Sequence, residues 1–506
     1  MKAKKTALTC ACTLAALSGQ ALAVAPGNCD PAVGGPFAID IYLSGASAPQ
    51  NILGQIMTEI LNPGFTTVYD TATGGSDYRA YCGTLNGTTG ALNGKKVRFL
   101  NRARGGSVWG VNPVARDRPI ANMIFAAASC VAAGGPGRQF DCAEVGDDLN
   151  AANPNNRQPD FGVSDVEPAM FKEPLNVEFG QDALSAAEIA KFAGTQRATN
   201  QVIFGIGLSQ SLVNAGLTNI SRAQVAAVLT GNYGDWNQVN PAIPAGTNVT
   251  VCRRVQGSGT QATFNSYFND FPCSVGNVAQ DGNTAPLRMS DSFGFNAPGS
   301  GDGGTPATAI LIDPTQGPTY VENPSSGNVR TCVNNANAGI DWAFRGDDLK
   351  FYRVQFSLPA ATLGGKHAAL ANLSLDSYNS TNYGTNWSFI NLDGLSPVSN
   401  IAGGDYTGLR NVITGAYDFV VEQSIQWKND KVFPSGDYLA FINLFVTKSR
   451  QEPILRAIPN VSVRAAVVAL PGVAGNTPTI PANPAANQTS QWTRSGNSCR
   501  PASLLF

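Results

Sequence analysis

The stretch VTVCRRVQGSGT, residues 249–260, decides the fold. Its first seven residues, Val249–Val255, are rich in β-branched side chains and predict a strand. Aromatic residues recur at helical spacing over Thr260–Phe271, so a helix is predicted directly afterwards. The glycines and hydroxyl side chains of residues 256–260 therefore precede a helix N-terminus, where exposed N–H groups and a partial positive charge attract anions.

Helices and strands alternate along much of the remaining chain. Apolar faces and capping boxes predict helices over Pro49–Leu61, after Ser185 and after Ser221. Short β-rich runs predict strands over Lys96–Leu100, Val202–Leu208, Phe419–Trp427 and Ala465–Ala469. This alternation predicts an α/β fold with largely parallel sheets. Segments rich in Gly, Pro, Asn and Ser are interpreted as loop insertions at residues 131–158, 279–306 and 359–390.

The N-terminus predicts export. Three lysines precede an apolar run from about Ala7 to Leu17, and residues 21–23, Ala-Leu-Ala, offer small side chains at the positions that a signal peptidase reads. The apolar run is too short to span a bilayer. We therefore expect a cleaved signal peptide over residues 1–23, a mature chain beginning at Val24, and a periplasmic or secreted protein; a buried N-terminal helix is the alternative.

Composition narrows the function classes. Removing residues 1–23 takes away three lysines and no acids, which changes the net charge from −1 to −4 and leaves no electrostatic basis for binding nucleic acid or anionic lipid. A mature chain of about 480 residues exceeds what one core usually serves, so two or three lobes are expected. One histidine, His367, and no C-x-x-C pair argue against a zinc site, and we expect no metal and no cofactor.

Cysteine usage agrees with an oxidising compartment. Eight cysteines follow the signal peptide: Cys29, Cys82, Cys130, Cys142, Cys252, Cys273, Cys332 and Cys499. An even number outside the cytoplasm predicts up to four disulfides, among about 105 possible pairings. Cys130–Cys142 and Cys252–Cys273 are attractive pairs, because each would close a short local loop.

Polar clusters stand where predicted strands end or predicted helices begin: Ser44–Ser47, Arg104–Ser107, Phe161–Asp165 and Gln256–Thr260. Arg254 lies four residues before Ser258, close enough for its guanidinium to make a bidentate contact in the same pocket. Each cluster alone is more often an ordinary turn, cap or surface charge. Together they indicate a ligand site, because ligands of open α/β sheets lie beyond the carboxyl ends of the strands.

The order of these motifs resembles the substrate-binding proteins of phosphate ABC transporters, the phosphate-binding branch of type II periplasmic binding proteins. The resemblance spans roughly residues 38–470 with insertions, and its most specific parts are Phe161–Asp165 and Arg254–Thr260. Weaker matches are Gly45–Pro49, Gly106-Ser107, Ser221–Pro241, Gly339–Trp342 and Leu392–Tyr417.

The resemblance implies a fold and a function. The fold would be a two-lobed α/β Venus flytrap with loop insertions, with lobe one over residues 36–170 and 415–506 and lobe two over 171–414. A monomer of this type would capture phosphate or a related oxyanion in the cleft by hinge closure. An ABC transporter permease is the partner that the resemblance implies.

Site roles follow from the same resemblance. Hydrogen-bond donors to the oxyanion would be Ser47, Ser107, Ser258, Gly259 and Thr260. Arg254 would supply the close positive charge, and Asp165 would accept a proton carried by the ligand. Two positions depart from the family: Ala48 replaces an aromatic residue, and Gln256 stands where an aspartate is usual. We expect the change at Gln256 to leave Arg254 less oriented and the pocket less negative.

Two other functions stay open. The sequence contains no G-x-S-x-G, H-E-x-x-H or P-loop lysine motif, and His367 is interpreted as structural or surface-exposed, so the chain is expected not to be an enzyme. A secreted phosphatase is the catalytic alternative. An interaction protein that keeps the fold but not the ligand site is the other, and Gln256 and the long Gly/Asn-rich loops favour it modestly.

Overall fold

The computed structural model describes residues 24–47, 50–72, 75, 77–135, 137–274, 285–379, 382–458, 466–473, 475–477 and 487–505. The predicted signal peptide, Ala48, Pro49, residue 465 and residues 279–284 of one predicted insertion lie outside these ranges. Within them, no helix is both long enough and apolar enough to cross a membrane.

Helices and strands follow one another along the described chain. The α-helices are α1 (Pro31–Gly34), α2 (Gln50–Ile60), α3 (Asn112–Arg116), α4 (Ala186–Ala190), α5 (Gln210–Asn214), α6 (Arg222–Leu229), α7 (Trp236–Val239), α8 (Gly259–Asn269), α9 (Ser326–Ala338), α10 (Thr407–Ile413), α11 (Gly436–Ser449) and α12 (Glu452–Arg456). The strands are β1 (Ile39–Gly45), β2 (Thr66–Asp70), β3 (Tyr78–Thr84), β4 (Lys96–Arg102), β5 (Asn122–Met123), β6 (Cys130–Gly135), β7 (Arg138–Cys142), β8 (Glu144–Val145), β9 (Phe161–Ser164), β10 (Arg197–Ser209), β11 (Asn219–Ile220), β12 (Val249–Arg254), β13 (Ile310–Ile312), β14 (Thr319–Asn323), β15 (Trp342–Arg345), β16 (Phe351–Val354), β17 (Ala368–Ser374), β18 (Trp387–Leu392), β19 (Val420–Gln426), β20 (Val467–Ala469), β21 (Trp492–Thr493) and β22 (Ser503–Leu504).

One mixed sheet of fifteen strands forms the frame, in the main order β14-β12-β17-β10-β19-β9-β1-β4-β3-β2-β7-β6. Strand β1 pairs in parallel with β4 and β9, and β12 pairs in parallel with β14 and β17. Between these parallel groups, β10 and β19 pair antiparallel with each other and with their neighbours β17 and β9. The α/β class is therefore confirmed. The expectation of largely parallel sheets is wrong, because antiparallel strands join the two parallel groups.

Local signals place several helices correctly. Ser185 and Ser221 each accept a hydrogen bond from the third helical N–H in complete capping boxes, at the starts of α4 and α6. Helix α8 ends where Asp270 adopts a left-handed conformation. Its Phe264 and Phe268 rings lie 6.1 and 5.1 Å from the ring of Phe419, just before β19. The apolar face of α8 is thus buried against the strands that join the two parallel groups.

Two predicted insertions contain strands of the main sheet. Residues 131–158 include most of the β6–β7 hairpin, which extends one edge of the sheet. Residues 359–390 include β17, an interior strand with all seven residues buried. The loop interpretation of these parts is wrong. The sequence of β17, AALANLS, lacks β-branched residues, and a strand covered on both faces shows no polar–apolar alternation.

Four disulfides connect the eight cysteines: Cys29–Cys82, Cys130–Cys142, Cys252–Cys332 and Cys273–Cys499. The predicted Cys130–Cys142 pair is confirmed, whereas Cys252–Cys273 is wrong. Cys252 lies within β12, and Cys273 lies beyond the far end of α8, a helix about 16 Å long at the usual rise per residue. Closeness in sequence therefore did not bring these two cysteines together.

The C-terminal tail is tied to several distant parts of the chain. The indole of Trp492 donates to the carbonyl of Val412 at 2.7 Å, and the backbone N–H of Ser498 donates to Glu167 at 2.7 Å. The Cys273–Cys499 disulfide then attaches the tail beyond the end of α8, across a sequence separation of 226. The tail is therefore part of the folded frame.

We expect the double variant Cys273→Ser/Cys499→Ser to lose more thermal stability than Cys130→Ser/Cys142→Ser. The first pair spans a separation of 226 and the second 12, so the first restricts the unfolded chain far more. Loop-closure entropy gives about 5 and about 3 kcal/mol respectively. Melting temperatures followed by circular dichroism measure the order. An equal or smaller loss in the first variant would contradict the prediction.

Candidate functional site

Two glycine-containing loops meet near the ends of strands from the two parallel groups. Residues 103–107 follow β4, residues 255–258 follow β12, and the Val108 N–H donates to the Gly257 carbonyl at 2.9 Å. Gly106 has a φ of +99°, and a Cβ there would lie 3.0 Å from the Ser258 Cα. A glycine is required at this position, because a side chain would force the loops apart.

Helix α8 begins in direct contact with residues from the other strand group. A Cβ on Gly259 would lie 2.3 Å from Ser107 Oγ and 2.7 Å from the Asp165 Cβ. Asp165 directly follows β9, and Ser107 follows the loop after β4. The structure therefore brings Ser107, Asp165 and the start of α8 together, as the sequence motifs predict.

Asp165 lies at the centre of this group. Its N–H donates to Ser107 Oγ at 3.1 Å, and its carboxylate accepts from Thr260 Oγ1 at 3.2 Å and from Gln423 Nε2 at 3.3 Å. Only 2% of Asp165 is exposed, and burial raises the pKa of its carboxyl, although Arg254 acts in the opposite direction. This arrangement holds the carboxyl in a fixed orientation.

Sequence reasoning missed Gln423. It belongs to β19, in which all seven residues are buried although the strand contains Glu422, Gln423, Ser424 and Gln426. Buried polar side chains need hydrogen-bond partners, so a polar run in a buried strand is a signal of a polar site nearby. The signal was present in the sequence but carried no indication of which partner Gln423 would find.

Arg254 is 2% exposed and held by a set of oxygens from one segment. Its guanidinium donates to the carbonyls of Asn323 and Pro324 and to Ser326 Oγ, at 3.2, 2.9 and 3.2 Å. Arg254 is thus oriented without any hydrogen bond to Gln256, and the effect of Gln256 relative to an aspartate stays a prediction. Gln256 instead donates to the Pro174 carbonyl at 3.1 Å.

The charge of Arg254 is opposed by burial and supported by neighbouring acids. Burial lowers the pKa of its guanidinium, while Asp165, Asp347 and Glu178 raise it. Three acids from other parts of the chain therefore lie close enough to act on Arg254, and the expectation that Gln256 leaves the pocket less negative stays a prediction. Arg254 stays positive, because an arginine pKa begins far above neutral pH.

Two buried hydroxyls in this region, Ser47 Oγ and Ser258 Oγ, have no hydrogen-bond partner among the residues that the structure describes. Ser258 is the N-cap of α8 but makes no side-chain cap bond, and the first N–H groups of a helix lack intrahelical partners. Ser47 follows β1, whose Gly45 is paired with Val163, two residues before Asp165. Both hydroxyls are therefore available to donate to a bound group.

Two further acids lie beside the site, and sequence reasoning missed both. Glu178 and Asp347, with Phe179 and Gly346, line two adjoining cavities of about 470 and 580 Å³. Glu178 Oε1 accepts from the Trp109 indole at 2.9 Å, whereas Glu178 Oε2 and Asp347 Oδ2 have no hydrogen-bond partner within the described part of the chain. Burial raises the pKa of Glu178 well above its ordinary value and that of Asp347 to about 7.

The single histidine lies in the core. His367 is 3% exposed, its Nε2 is 2.7 Å from the Leu358 carbonyl, and burial lowers its pKa. It therefore has a structural role, as the sequence predicts. In the part of the chain that the structure describes, no group of three or more His, Cys, Asp or Glu residues is arranged to hold a metal ion.

Part of the chain matches a known family. Residues 171–344 match a family model described as a PBP superfamily domain. Comparison of the sequence with curated proteins finds no match.

Solved structures that align with this chain include an ABC-type phosphate transport receptor from Vibrio cholerae, with 12% identity and a TM-score of 0.35 over 80% of this chain and 93% of that one. PstS from Borrelia burgdorferi shows 11% identity and a TM-score of 0.34, covering 83% and 97% of the two chains. A DING protein shows 12% identity and a TM-score of 0.40, covering 83% and 90%.

We expect Gly259→Ala to destabilise the protein by about 1–3 kcal/mol, because the added methyl would overlap Ser107 Oγ and the Asp165 Cβ. Gly327→Ala in α9 is the matched control: its Cβ would meet nothing closer than 3.5 Å, and alanine favours a helix. Thermal denaturation of both variants measures the difference. Equal melting temperatures for the two would show that α8 and Ser107 are not in contact.

Proposed function

We propose that this chain, whose residues 171–344 carry the PBP superfamily domain, is an exported solute-binding protein that captures phosphate or a similar oxyanion. The observation that carries the proposal is a buried arginine, Arg254, next to the start of α8, where the Ser258 hydroxyl has no partner. A fixed positive charge and free donors in one buried place suit a compact anion.

The proposed donors come from both parallel strand groups. Ser258, Gly259 and Thr260 belong to α8 and its cap, whereas Ser47 and Ser107 follow β1 and β4. An oxyanion bound among them would accept hydrogen bonds from both sides. Binding would then hold the two groups together, which is how a hinged binding protein closes on its ligand.

Asp165 gives the proposed site a means of selection. Its carboxyl already accepts hydrogen bonds from Thr260 and Gln423, and a ligand that carries a proton can donate one more. A monoprotonated phosphate has such a proton near neutral pH, whereas sulfate does not. Phosphate is therefore the oxyanion that we propose first.

The cellular setting is part of the proposal. Four disulfides suit an oxidising compartment, which supports a periplasmic or secreted location and removal of residues 1–23. We propose the lobes at residues 36–170 with 415–506 and at residues 171–414, with the ligand between them. A monomer that delivers its ligand to an ABC permease is the assembly that we propose.

We expect Arg254→Ala to weaken phosphate binding at least about 30-fold, because removing one partner of a buried charged hydrogen bond costs about 2–5 kcal/mol. Isothermal titration calorimetry with phosphate measures the change. Arg353→Ala, at an exposed position on β16, is the matched control and should bind as the wild type does. Unchanged affinity in Arg254→Ala would place the site elsewhere. Failure of the wild type to bind any oxyanion would favour the interaction-protein alternative.

We expect the wild type to bind phosphate much more tightly than sulfate, and Asp165→Asn to narrow the difference. An ionised Asp165 places a lone pair against an unprotonated sulfate oxygen in a buried site, whereas an asparagine amide can donate to it. Phosphate and sulfate affinities of both proteins, measured by the same titration, test this. Equal affinity of the wild type for the two anions would rule out Asp165 as the selecting residue.

A further inference from the structure

We infer that the ligand is a zwitterion, an oxyanion joined through a short organic linker to a cationic amine, and that Glu178 and Asp347 receive the amine. The inference rests on the proposed oxyanion site and specifies the ligand class. Its basis is the buried Glu178 and the partly buried Asp347, each with a carboxylate oxygen that has no hydrogen-bond partner among the described residues. Both acids line two cavities, and Val255 and Gln256, which lie between Arg254 and Ser258 in sequence, line one of them.

The two proposed subsites are adjacent. A Cβ on Gly257 would lie 2.5 Å from the Glu178 Cβ and 2.9 Å from Glu178 Oε2, and the next residue is Ser258. The Glu178 carboxylate therefore lies about one residue away from the proposed oxyanion donors. A linker of a few atoms is long enough to join an anion at Ser258 to an amine at Glu178.

The cavities suit a ligand larger than an inorganic anion. Their volumes, about 470 and 580 Å³, fall within the roughly 300–1,000 Å³ of pockets that hold small organic molecules. Phe179 and Tyr352 contribute aromatic surface to the smaller cavity, and Phe179 is 60% exposed at its edge. Carbon atoms of a linker would find apolar contacts there.

Glu178 and Asp347 each have a carboxylate oxygen that can accept a further hydrogen bond. Glu178 is 6% exposed, and neither its Oε2 nor Asp347 Oδ2 has a hydrogen-bond partner. A buried carboxylate oxygen without a donor is costly. An ammonium carries three N–H donors, and both acids line the same two cavities, so an amine bound there is the donor that we propose for them.

The charged groups around Glu178 and Asp347 also bear on the choice of ligand. The nearby arginines Arg102 and Arg104 already pair with Asp148 at 2.6 Å and Glu144 at 3.3 Å. Arg254 acts on Asp165, Glu178 and Asp347, while Arg102 also acts on Glu178 and Arg104 on Asp347. A zwitterion would bring a further cation to Glu178 and Asp347, whereas an inorganic anion would not.

The protonation of Glu178 and Asp347 gives a signal that can be measured when the ligand binds. Burial raises the pKa values of both, with that of Asp347 at about 7, so the pair holds protons near neutral pH when no cation is present. An ammonium beside them stabilises the ionised forms and lowers these pKa values. Amine binding should therefore release protons to the solvent.

The test compares phosphate, ethyl phosphate and aminoethyl phosphate by calorimetry at neutral pH. We expect the wild type to bind aminoethyl phosphate at least about 10-fold more tightly than ethyl phosphate, because a charged hydrogen bond is worth that much. Titrations in two buffers of different ionisation enthalpy should show proton release with the amine and less with ethyl phosphate.

Glu178→Gln and Asp347→Asn should each reduce the advantage of the amine to about 2–3-fold, measured against ethyl phosphate binding by the same variant. Glu173→Gln, an exposed acid five residues before Glu178, is the matched control and should keep the full advantage. An advantage that both cavity variants retain would overturn the assignment to these acids.

The wild-type titrations alone separate the two proposals. If phosphate and ethyl phosphate bind and the amine brings no gain, the zwitterion inference is wrong while the oxyanion site stands. If none of the three ligands binds, both proposals fail. This comparison needs no variant, so a variant that does not fold leaves it intact.

Discussion

The contact between the loop after β4 and the start of α8 is the constraint on which the rest of the site depends. Val108 donates to Gly257 at 2.9 Å, and Gly259 packs so closely on Ser107 and Asp165 that no side chain fits. These contacts join strands from the two parallel groups. They also bury Arg254 and Asp165 side by side in a region where each polar atom needs a defined partner.

Burial then determines the chemistry that this region can perform. The guanidinium of Arg254 is held by the 323–326 segment, so its position does not depend on a neighbouring aspartate. The Ser258 hydroxyl, which has no partner among the described residues, lies at a helix N-terminus, and Glu178 Oε2 lies against Gly257, the residue before Ser258. Asp347 lines the same two cavities as Glu178. Hydrogen-bond donors at the start of α8 and acceptors on the two carboxylates are thereby adjacent. This is the basis for proposing a ligand that carries both a negative and a positive charge.

The tail and the antiparallel strands tie the two strand groups together outside the site. Strand β10 pairs with β17, β18, β19 and β20, and the tail reaches the end of α8 through Cys273–Cys499. Polar residues buried in β19, including Gln423, turn this connection into part of the site. The same strands therefore support the fold and orient Asp165.

The amino-acid sequence by itself determined the α/β class, the capped starts of α4 and α6, and the position of each of Ser107, Asp165, Arg254 and the α8 cap near a strand end or a helix start. These features depend on residues within about a dozen positions of each other, where propensity, capping and periodicity act. Only the tertiary structure showed that β17, β6 and β7 are strands rather than loops. It alone also showed the disulfide partners of Cys252 and Cys273 and the acids and amides that surround Arg254 and Asp165. Each of these features depends on segments that are distant in sequence and come into contact only when the core packs. Local sequence patterns therefore do not predict them.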